Sequence, residues 1–521
     1  MRHVLLALLL GTSLLVPGLA GSALAAPATS GKGGETEAGK KPDADVVEAS
    51  AVETAHPVSR SIPFHGSSLA YTVTPGTLTI RNDEGLATGS IFYVAYTMKP
   101  APGAPPRPVS FLYNGGPGSS SMWLHLGSFG PMKIAMTTPD ALPPAPFHLA
   151  PNPDTLLDKT DLVFIDAPTT GLSRALGKTE PKAFFGVDND LDAFTRAIQR
   201  YLTINGRWDS PKFLIGESYG TLRSAGLAYA LESKGVQLNG VALVSTTLNI
   251  GLLFQENDRG YVNMLPTEAA TSWYHNRLAT KPADLAAWLV EVRSFAAGPY
   301  ATALAKGYTV PAAERDQVAR QLAAYLGVSP EFVLNNNLRV DPDRFRKELL
   351  RGQRKTVGRL DSRFLGEDAD AGGEGTEYDP TDAGMTGAWV GALNDYLFRD
   401  LGYETNLTYR PNNYAAQAGG GWDWRHRVDR MGTQISADTS VDLAAALRRN
   451  PRLKLLQIGG YYDMATPFFG AEFDLSHMPI SVERQANVTY KYYPSGHMVY
   501  IEPGSSRQLR LDIEAWMDTA R

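Results

Sequence analysis

Over residues 212–231 the chain reads as a short apolar strand, Lys212 to Ile215, then Gly216-Glu217-Ser218-Tyr219-Gly220, then a helix from Thr221 to Leu231. A serine between two glycines at a strand-to-helix junction constrains the fold more than any other feature of the chain. The turn is too sharp for side chains on its flanks, hence the glycines. It lifts the serine hydroxyl above a sheet, at the start of a helix. Such a junction belongs to strands alternating with helices around a mainly parallel, doubly covered sheet. The bland alternative is a chance pentapeptide in a tight turn, and the flanking strand and helix weigh against it.

The rest of the chain fits that frame. Tyr71 to Arg81 and Ser90 to Met98 are β-rich runs around Asn82-Asp83-Glu84-Gly85, which predicts an antiparallel meander. Val109 to Tyr113, Asp161 to Ile165 and Val241 to Ser245 read as strands, and Val187 to Leu202 as a helix. From Leu252 to Arg430 the pattern turns helical, with apolar spacing over Asp284 to Phe295, Ala312 to Leu326 and Pro342 to Arg351. Glu367 to Pro380 is acidic and glycine-rich, but its spacing fits no calcium motif, so it reads as a solvated loop. Tyr414 to Trp424 mixes glycines with aromatics, as a loop over a pocket does and as ordinary surface structure does too. A helix at Val441 to Arg449, strands at Leu453 to Ile458 and Val488 to Tyr493, and a closing helix at Ser506 to Met517 restore the first pattern. The expected architecture is one α/β domain, residues 61–251 and 431–521, interrupted by a mainly helical insertion at 252–430.

The first residues carry a different signal. Arg2 and His3 precede an apolar run from Val4 to Leu15, and Ala23-Leu24-Ala25 is a small-x-small cleavage pattern. Residues 1–25 thus read as a secretory signal peptide rather than a retained anchor. Residues 26–60 read as a flexible leader, being poor in large apolar side chains over most of their length. No later run of about 18 apolar residues appears, so the mature chain is expected to hold no integral membrane span. Export points to the periplasm, cell surface or medium. Asn406-Leu407-Thr408 and Asn487-Val488-Thr489 match the glycosylation pattern, which is common by chance.

Composition removes several chemistries. With no cysteine among its 521 residues, the chain has no disulfide, thiolate metal site or cysteine nucleophile. A net charge of -5 lacks the basic footprint of a nucleic-acid binder. His125 and His477 have no partner at metal-ligand spacing and read as structural or surface residues, so no metal and no cofactor are expected.

Three further strand ends carry candidate chemistry. Asp463 follows the strand ending at Ile458, and His497 follows the one ending at Tyr493. A serine hydroxyl is a weak nucleophile until an imidazole takes its proton and a carboxylate orients that imidazole. The chain order Ser218, Asp463, His497 is the order of an α/β-hydrolase. After Tyr113 comes Asn114-Gly115-Gly116-Pro117-Gly118-Ser119-Ser120-Ser121, a turn able to aim backbone N–H groups at a developing oxyanion. It lacks the lysine of a phosphate-binding loop, and a plain turn is its other reading.

Taken together, Asn114 to Ser120, Gly216 to Gly220, Asp463 and Gly496-His497-Met498 resemble the serine carboxypeptidase family. Asp166-Ala167-Pro168 with Gly171 and Ser173 resembles its Asp-x-Pro segment. The resemblance runs from about Gly66 to the C-terminus and leaves 252–430 unmatched. It implies a secreted serine carboxypeptidase with an α/β-hydrolase fold acting on peptides. Ser218 would be the nucleophile, His497 the base and Asp463 its orienting acid. The N–H groups of Gly116 and Tyr219 would form the oxyanion hole, while Asn114, Gly115 and Glu217 would bind the substrate's terminal carboxylate. In the family, the counterpart of Glu217 shares a proton with a second glutamate just upstream of a Gly-Pro pair. Here Gly130-Pro131 is that pair and Ser128 stands at the glutamate position. Ser128 is expected to offer at most a hydrogen bond to Glu217 or to substrate, with an altered pH dependence. An esterase or acyltransferase on the same scaffold shares all the acyl-transfer machinery. A binding protein that merely retains the scaffold would not need the three catalytic side chains. The oligomeric state is not legible in the sequence.

Overall fold

The computed structural model describes residues 48–134, 145–253, 257–417, 421–428 and 432–520. The expected signal peptide and the leader up to residue 47 lie outside the described residues. The leader reading fails for residues 48–60. The Glu53 carboxylate takes both a salt bridge from Arg200 and a hydrogen bond from Thr79 N. Strand β1, Val58–Phe64, pairs along its whole length with β2, Ser67–Arg81. β1 escapes pattern reading because it is an edge strand whose Ser59, Arg60 and Ser61 face solvent and which carries Pro63. Only Ile62 and Phe64 are buried, with Val58 packed partly against the core.

β2 pairs antiparallel with β3, Ala87–Thr97. The remaining strands of the main path are β4, Val109–Tyr113; β5, Asp161–Ile165; β6, Lys212–Glu217; β7, Gly240–Val244; β8, Lys454–Gly460; and β9, Val488–Tyr493. Their order is β1-β2-β3-β5-β4-β6-β7-β8-β9. The β3–β5 pairing is antiparallel, and every pairing from β5 onward is parallel. The register sets Tyr113 opposite Gly216, Glu217 opposite Val244, Val244 opposite Ile458 and Gly460 opposite Tyr493. Parallel alignment therefore delivers the ends of β4, β6, β8 and β9 to one edge of the sheet.

The parallel strands bury both faces, which is why they read as nearly unbroken apolar runs. Ile215, Val244 and Ile458 point to one side with Trp516 of the C-terminal helix. Leu214, Leu243 and Leu455 point to the other, against Ile198, Leu222 and Leu447. Ile198 belongs to α1, Val187–Ile204, and Leu222 to α2, Tyr219–Ser233. Each fully buried side chain of this size contributes about 1.5–3 kcal/mol, and no disulfide assists.

Residues 252–430 hold two kinds of packing. Helices α3, Asp258–Tyr274; α4, Leu285–Phe295; α5, Ala312–Leu326; and α6, Pro342–Glu348, share a core of their own that includes Leu265, Leu289, Leu322 and Phe345. That core also takes in Tyr462, Met464 and Phe468 from beyond β8. Helix α7, Pro380–Asn394, instead buries Met385, Trp389 and Leu393 in the sheet's own core. Pattern reading misses α7 because Gly384, Gly387 and Gly391 depress its intrinsic helix propensity. Burial of Trp389 overrides that preference. After α8, Ser440–Arg449, and α9, Phe468–Ser476, the chain closes with α10, Pro503–Thr519. Among the described residues no helix is long and apolar enough to cross a membrane.

Candidate active site

Ser218 sits between the end of β6 and the start of α2 with φ 61 and ψ -131. A non-glycine residue there is strained, and the neighbours hold it. Its N–H donates to Val244 O at 3.0 Å, and its carbonyl accepts from Thr221 N at 2.8 Å and Thr221 Oγ1 at 2.7 Å. A Cβ on Gly216 would lie 2.1 Å from Gly220 O, so this flank must be glycine.

The candidate base and acid, His497 and Asp463, come from the loops after β9 and β8. His497 Nδ1 donates to Asp463 Oδ2 at 2.8 Å. Asp463, fully buried, accepts from Ala465 N, Thr466 N and Thr466 Oγ1 at 2.8, 3.0 and 2.8 Å. Four donors on a buried carboxylate fix its position. Burial pulls the His497 pKa down, but the charge and hydrogen bond of Asp463, helped by Glu217, more than offset this and raise it above its usual value. Among the described residues no hydrogen bond joins Ser218 to His497. Such contacts often close only in the substrate complex.

Both loops lean on one short segment of the insertion. His497 N donates to Leu360 O at 2.7 Å, Met464 N to Arg359 O at 3.0 Å and Ser362 N to Tyr462 O at 3.0 Å. Asp379 caps α7 and also accepts from Arg359 N and Leu360 N. Arg363 grips Asp361 and donates to Pro494 O, steadying the turn before the histidine.

The turn after β4 closes over the serine. Gly116 has φ 104, open to glycine, and a Cβ on Gly115 would lie 2.4 Å from Tyr219 N. That close approach brings the turn against the N-terminus of α2. The N–H groups of Gly116 and Tyr219 donate to no acceptor among the described residues, as an oxyanion hole requires. The turn is clamped from behind. Arg223, wholly buried, pairs with Asp190 at 2.7 Å and donates to Asn114 O at 2.7 Å. Asp166 Oδ1 accepts from Ser121 N, Ser121 Oγ and Tyr409 OH. The Asp-x-Pro segment thus ties the turn to the insertion.

Asn114 and Glu217 form a buried polar pair. Asn114 Nδ2 donates to Glu217 Oε1 at 2.8 Å, while Asn114 Oδ1 accepts from Leu124 N at 3.0 Å. Burial pushes the Glu217 pKa up to about 7, aided by the nearby Asp463 charge and opposed by His497, Tyr500 and Asn114. Ser128 corrects an expectation. Its hydroxyl donates to Leu124 O at 2.5 Å, a bond within its own helical turn, and it bonds neither to Glu217 nor to the cleft.

Asn114, Gly115, Gly116, Glu217, Ser218, Tyr219 and His497 all line one cleft of about 540 Å³. Asp463 stands behind His497. Trp123, Arg359, Asp382, Tyr414 and Trp424 supply other walls, so Tyr414, Gln417 and Trp424 of the glycine- and aromatic-containing stretch border the pocket. Sequence reasoning missed Arg223, Arg359, Asp361 and Tyr500. The position of Tyr500, three residues after His497, was the one local signal. His125 is structural: it is buried against Phe164 and bonded to Tyr96 OH, and burial lowers its pKa to about 3.

Residues 76–265 match the family model of the serine carboxypeptidases. No curated protein sequence matches the chain. Among solved structures, the chain is similar to Kex1(delta)p, a prohormone-processing carboxypeptidase from Saccharomyces cerevisiae, with 15% identity and a TM-score of 0.52 over 86% of this chain and 91% of that one. Lower similarity extends to a proline iminopeptidase from Mycobacterium smegmatis, with 14% identity and a TM-score of 0.34 over 85% and 98% of the two chains. A putative aryl esterase from Burkholderia cenocepacia gives 11% identity and 0.33 over 85% and 98%. Residues 76–265, which hold both the elbow and the turn after β4, thus match the serine carboxypeptidase family, and the sheet beneath them is that of an α/β-hydrolase.

Proposed function

We propose that the protein is an exported carboxypeptidase that releases the last residue of peptides through an acyl-enzyme on Ser218. The observation that carries this reading beyond a general serine hydrolase is the buried Asn114–Glu217 pair beside the nucleophile. An ester or amide site has no need of a buried acid at that place. A site for a terminal carboxylate does, provided the acid keeps its proton and so donates rather than repels.

The chemistry follows from the positions. Ser218 Oγ attacks the last peptide carbonyl while His497 takes its proton, with Asp463 holding the imidazole in the required tautomer. The tetrahedral oxyanion is met by the N–H groups of Gly116 and Tyr219. Such donors act strongly because they are already oriented in a water-poor site. His497 then gives the proton to the departing amine, the C–N bond breaks, and the C-terminal amino acid leaves. Water, deprotonated by His497, attacks the acyl ester and frees Ser218. Asn114, the Gly115 N–H and protonated Glu217 hold the substrate's carboxylate throughout. Export rests on the signal-peptide pattern of residues 1–25.

The test is release of the last residue from N-blocked dipeptides, each run beside its C-terminal amide, with Ser218→Ala as control. Release that needs the free carboxylate and vanishes in the variant supports the proposal. Ester cleavage without peptide cleavage overturns it.

A further inference from the structure

The Glu217 carboxyl has a neighbour that the family resemblance does not supply. Tyr500 follows His497 by three residues, on the short turn Val499–Ile501, and is 2% exposed. Its ring lies against Gly127, where a Cβ would come within 2.6 Å of Cε2. The missing side chain of Gly127 is therefore what admits the ring. With Ser128 bonded to Leu124 O, this segment offers Glu217 no second carboxyl. The Tyr500 phenol faces Glu217 instead.

Two buried atoms at this contact are left over. Glu217 Oε2 and Tyr500 OH both lie out of solvent without a closed hydrogen bond in the free site. Asn114 Nδ2 donates to Oε1, which marks Oε1 as the carbonyl oxygen and leaves Oε2 to carry the proton. A phenol suits that position in a way a carboxyl does not. It donates its own O–H to the ionised form without adding a charge, and leaves the acid proton of the neutral form to the substrate's carboxylate. Burial and the Glu217 charge both keep the phenol itself un-ionised, so it adds no second negative charge.

We propose that Tyr500 takes the place of a second carboxyl and governs whether Glu217 carries its proton, and hence up to which pH the site accepts a terminal carboxylate. Tyr500 is a positioning residue: it faces Glu217 and acts on substrate through it. The groups that bear on Glu217 are Tyr500, Asn114, His497 and Asp463. Of these, Tyr500 and Asn114 donate to its anion, His497 favours the anion when protonated, and Asp463 opposes it. Removing the Tyr500 hydroxyl therefore leaves Glu217 protonated to higher pH. The inference rests on the carboxylate-binding reading above.

The test compares wild type with Tyr500→Phe, which keeps the ring against Gly127. The readout is protection of Ser218 from an organophosphonate label between pH 5 and 9. The protecting ligands are a ketomethylene analogue of an N-blocked dipeptide as free acid and as C-terminal amide. Labelling without ligand at the wild-type rate shows that the variant is folded. In wild type the free acid is expected to lose its advantage over the amide as pH rises through about 7. In Tyr500→Phe that loss moves to higher pH, so at pH 8 the acid-to-amide preference exceeds wild type by about tenfold. At pH 5 the two proteins agree within about twofold. Superimposed profiles overturn the role of Tyr500 alone. A wild type that never prefers the free acid overturns the carboxylate reading and this inference together.

Discussion

Glu217→Gln removes a charge while keeping the side-chain shape and the oxygen that accepts from Asn114 Nδ2. Burial raises the Glu217 pKa from its ordinary 4.5 to about 7. A folded-state value above the unfolded one means that the native chain holds a proton which the unfolded chain has released. Stability is then fully present below pH 4.5 and falls by 1.36 kcal/mol per pH unit up to about 7, beyond which it levels off. The whole loss is about 3 kcal/mol, and Glu217→Gln escapes it. For a domain of this size the unfolding entropy is on the order of 1 kcal/mol per degree, so the effect is about 3 °C in Tm. The assay is thermal unfolding of both proteins from pH 4 to 8 at constant ionic strength and scan rate. The variant's Tm should gain on wild type as pH rises and stop gaining above about 7. An offset independent of pH would refute the claim that Glu217 is a buried acid held neutral by its surroundings. The same variant should lose selectivity for free-carboxylate substrates below pH 7, because an amide donates more weakly to a carboxylate than a carboxylic acid does. The residue thus costs stability where it serves recognition.

Two further changes test the frame around the serine. Gly115→Ala forces a Cβ to within 2.4 Å of Tyr219 N, so the oxyanion turn must back away from α2. Steady-state assays should show kcat down by about 10²–10³ with a smaller change in KM, the pattern of a lost transition-state donor. Arg223→Met leaves Asp190 buried without its partner and Asn114 O without its donor. Denaturant unfolding should report a loss of about 3–5 kcal/mol, and a variant as stable as wild type would show that the buried pair does not hold the turn.

The cleft that gathers these side chains was legible because the candidate chemistry and the fold are written in the same short stretches. Gly216 to Gly220 encodes a backbone path as well as a nucleophile. Asn114 to Ser121, Asp463 and His497 all stand at strand ends, and parallel pairing brings those ends to one edge. The supports were not legible, because their partners are remote in sequence. Tyr409 reaches Asp166, and Leu360 reaches His497, across distances in the chain that no local pattern records. Ser128 could be recognised as a missing carboxyl from its place before Gly130-Pro131. That a tyrosine fills the contact depends on Gly127 making room, a packing fact. β1 and α7 were hidden for simpler reasons, exposed polar residues in one and glycines in the other.

Many hydrolases wear a lid that can be traded for another without touching the chemistry beneath. The irregular passage from Arg359 to Ser362 forbids that here, since its backbone is bonded to the loops that carry Asp463 and His497. Excising the insertion at its sequence borders would remove the strut along with the roof. A chimera that keeps the catalyst must splice inside the helical bundle, beyond α3 and before Arg359, leaving the strut and α7 in place. In chain order the strut lies between the nucleophile and the acid and base, so the two halves of the sheet domain meet across it.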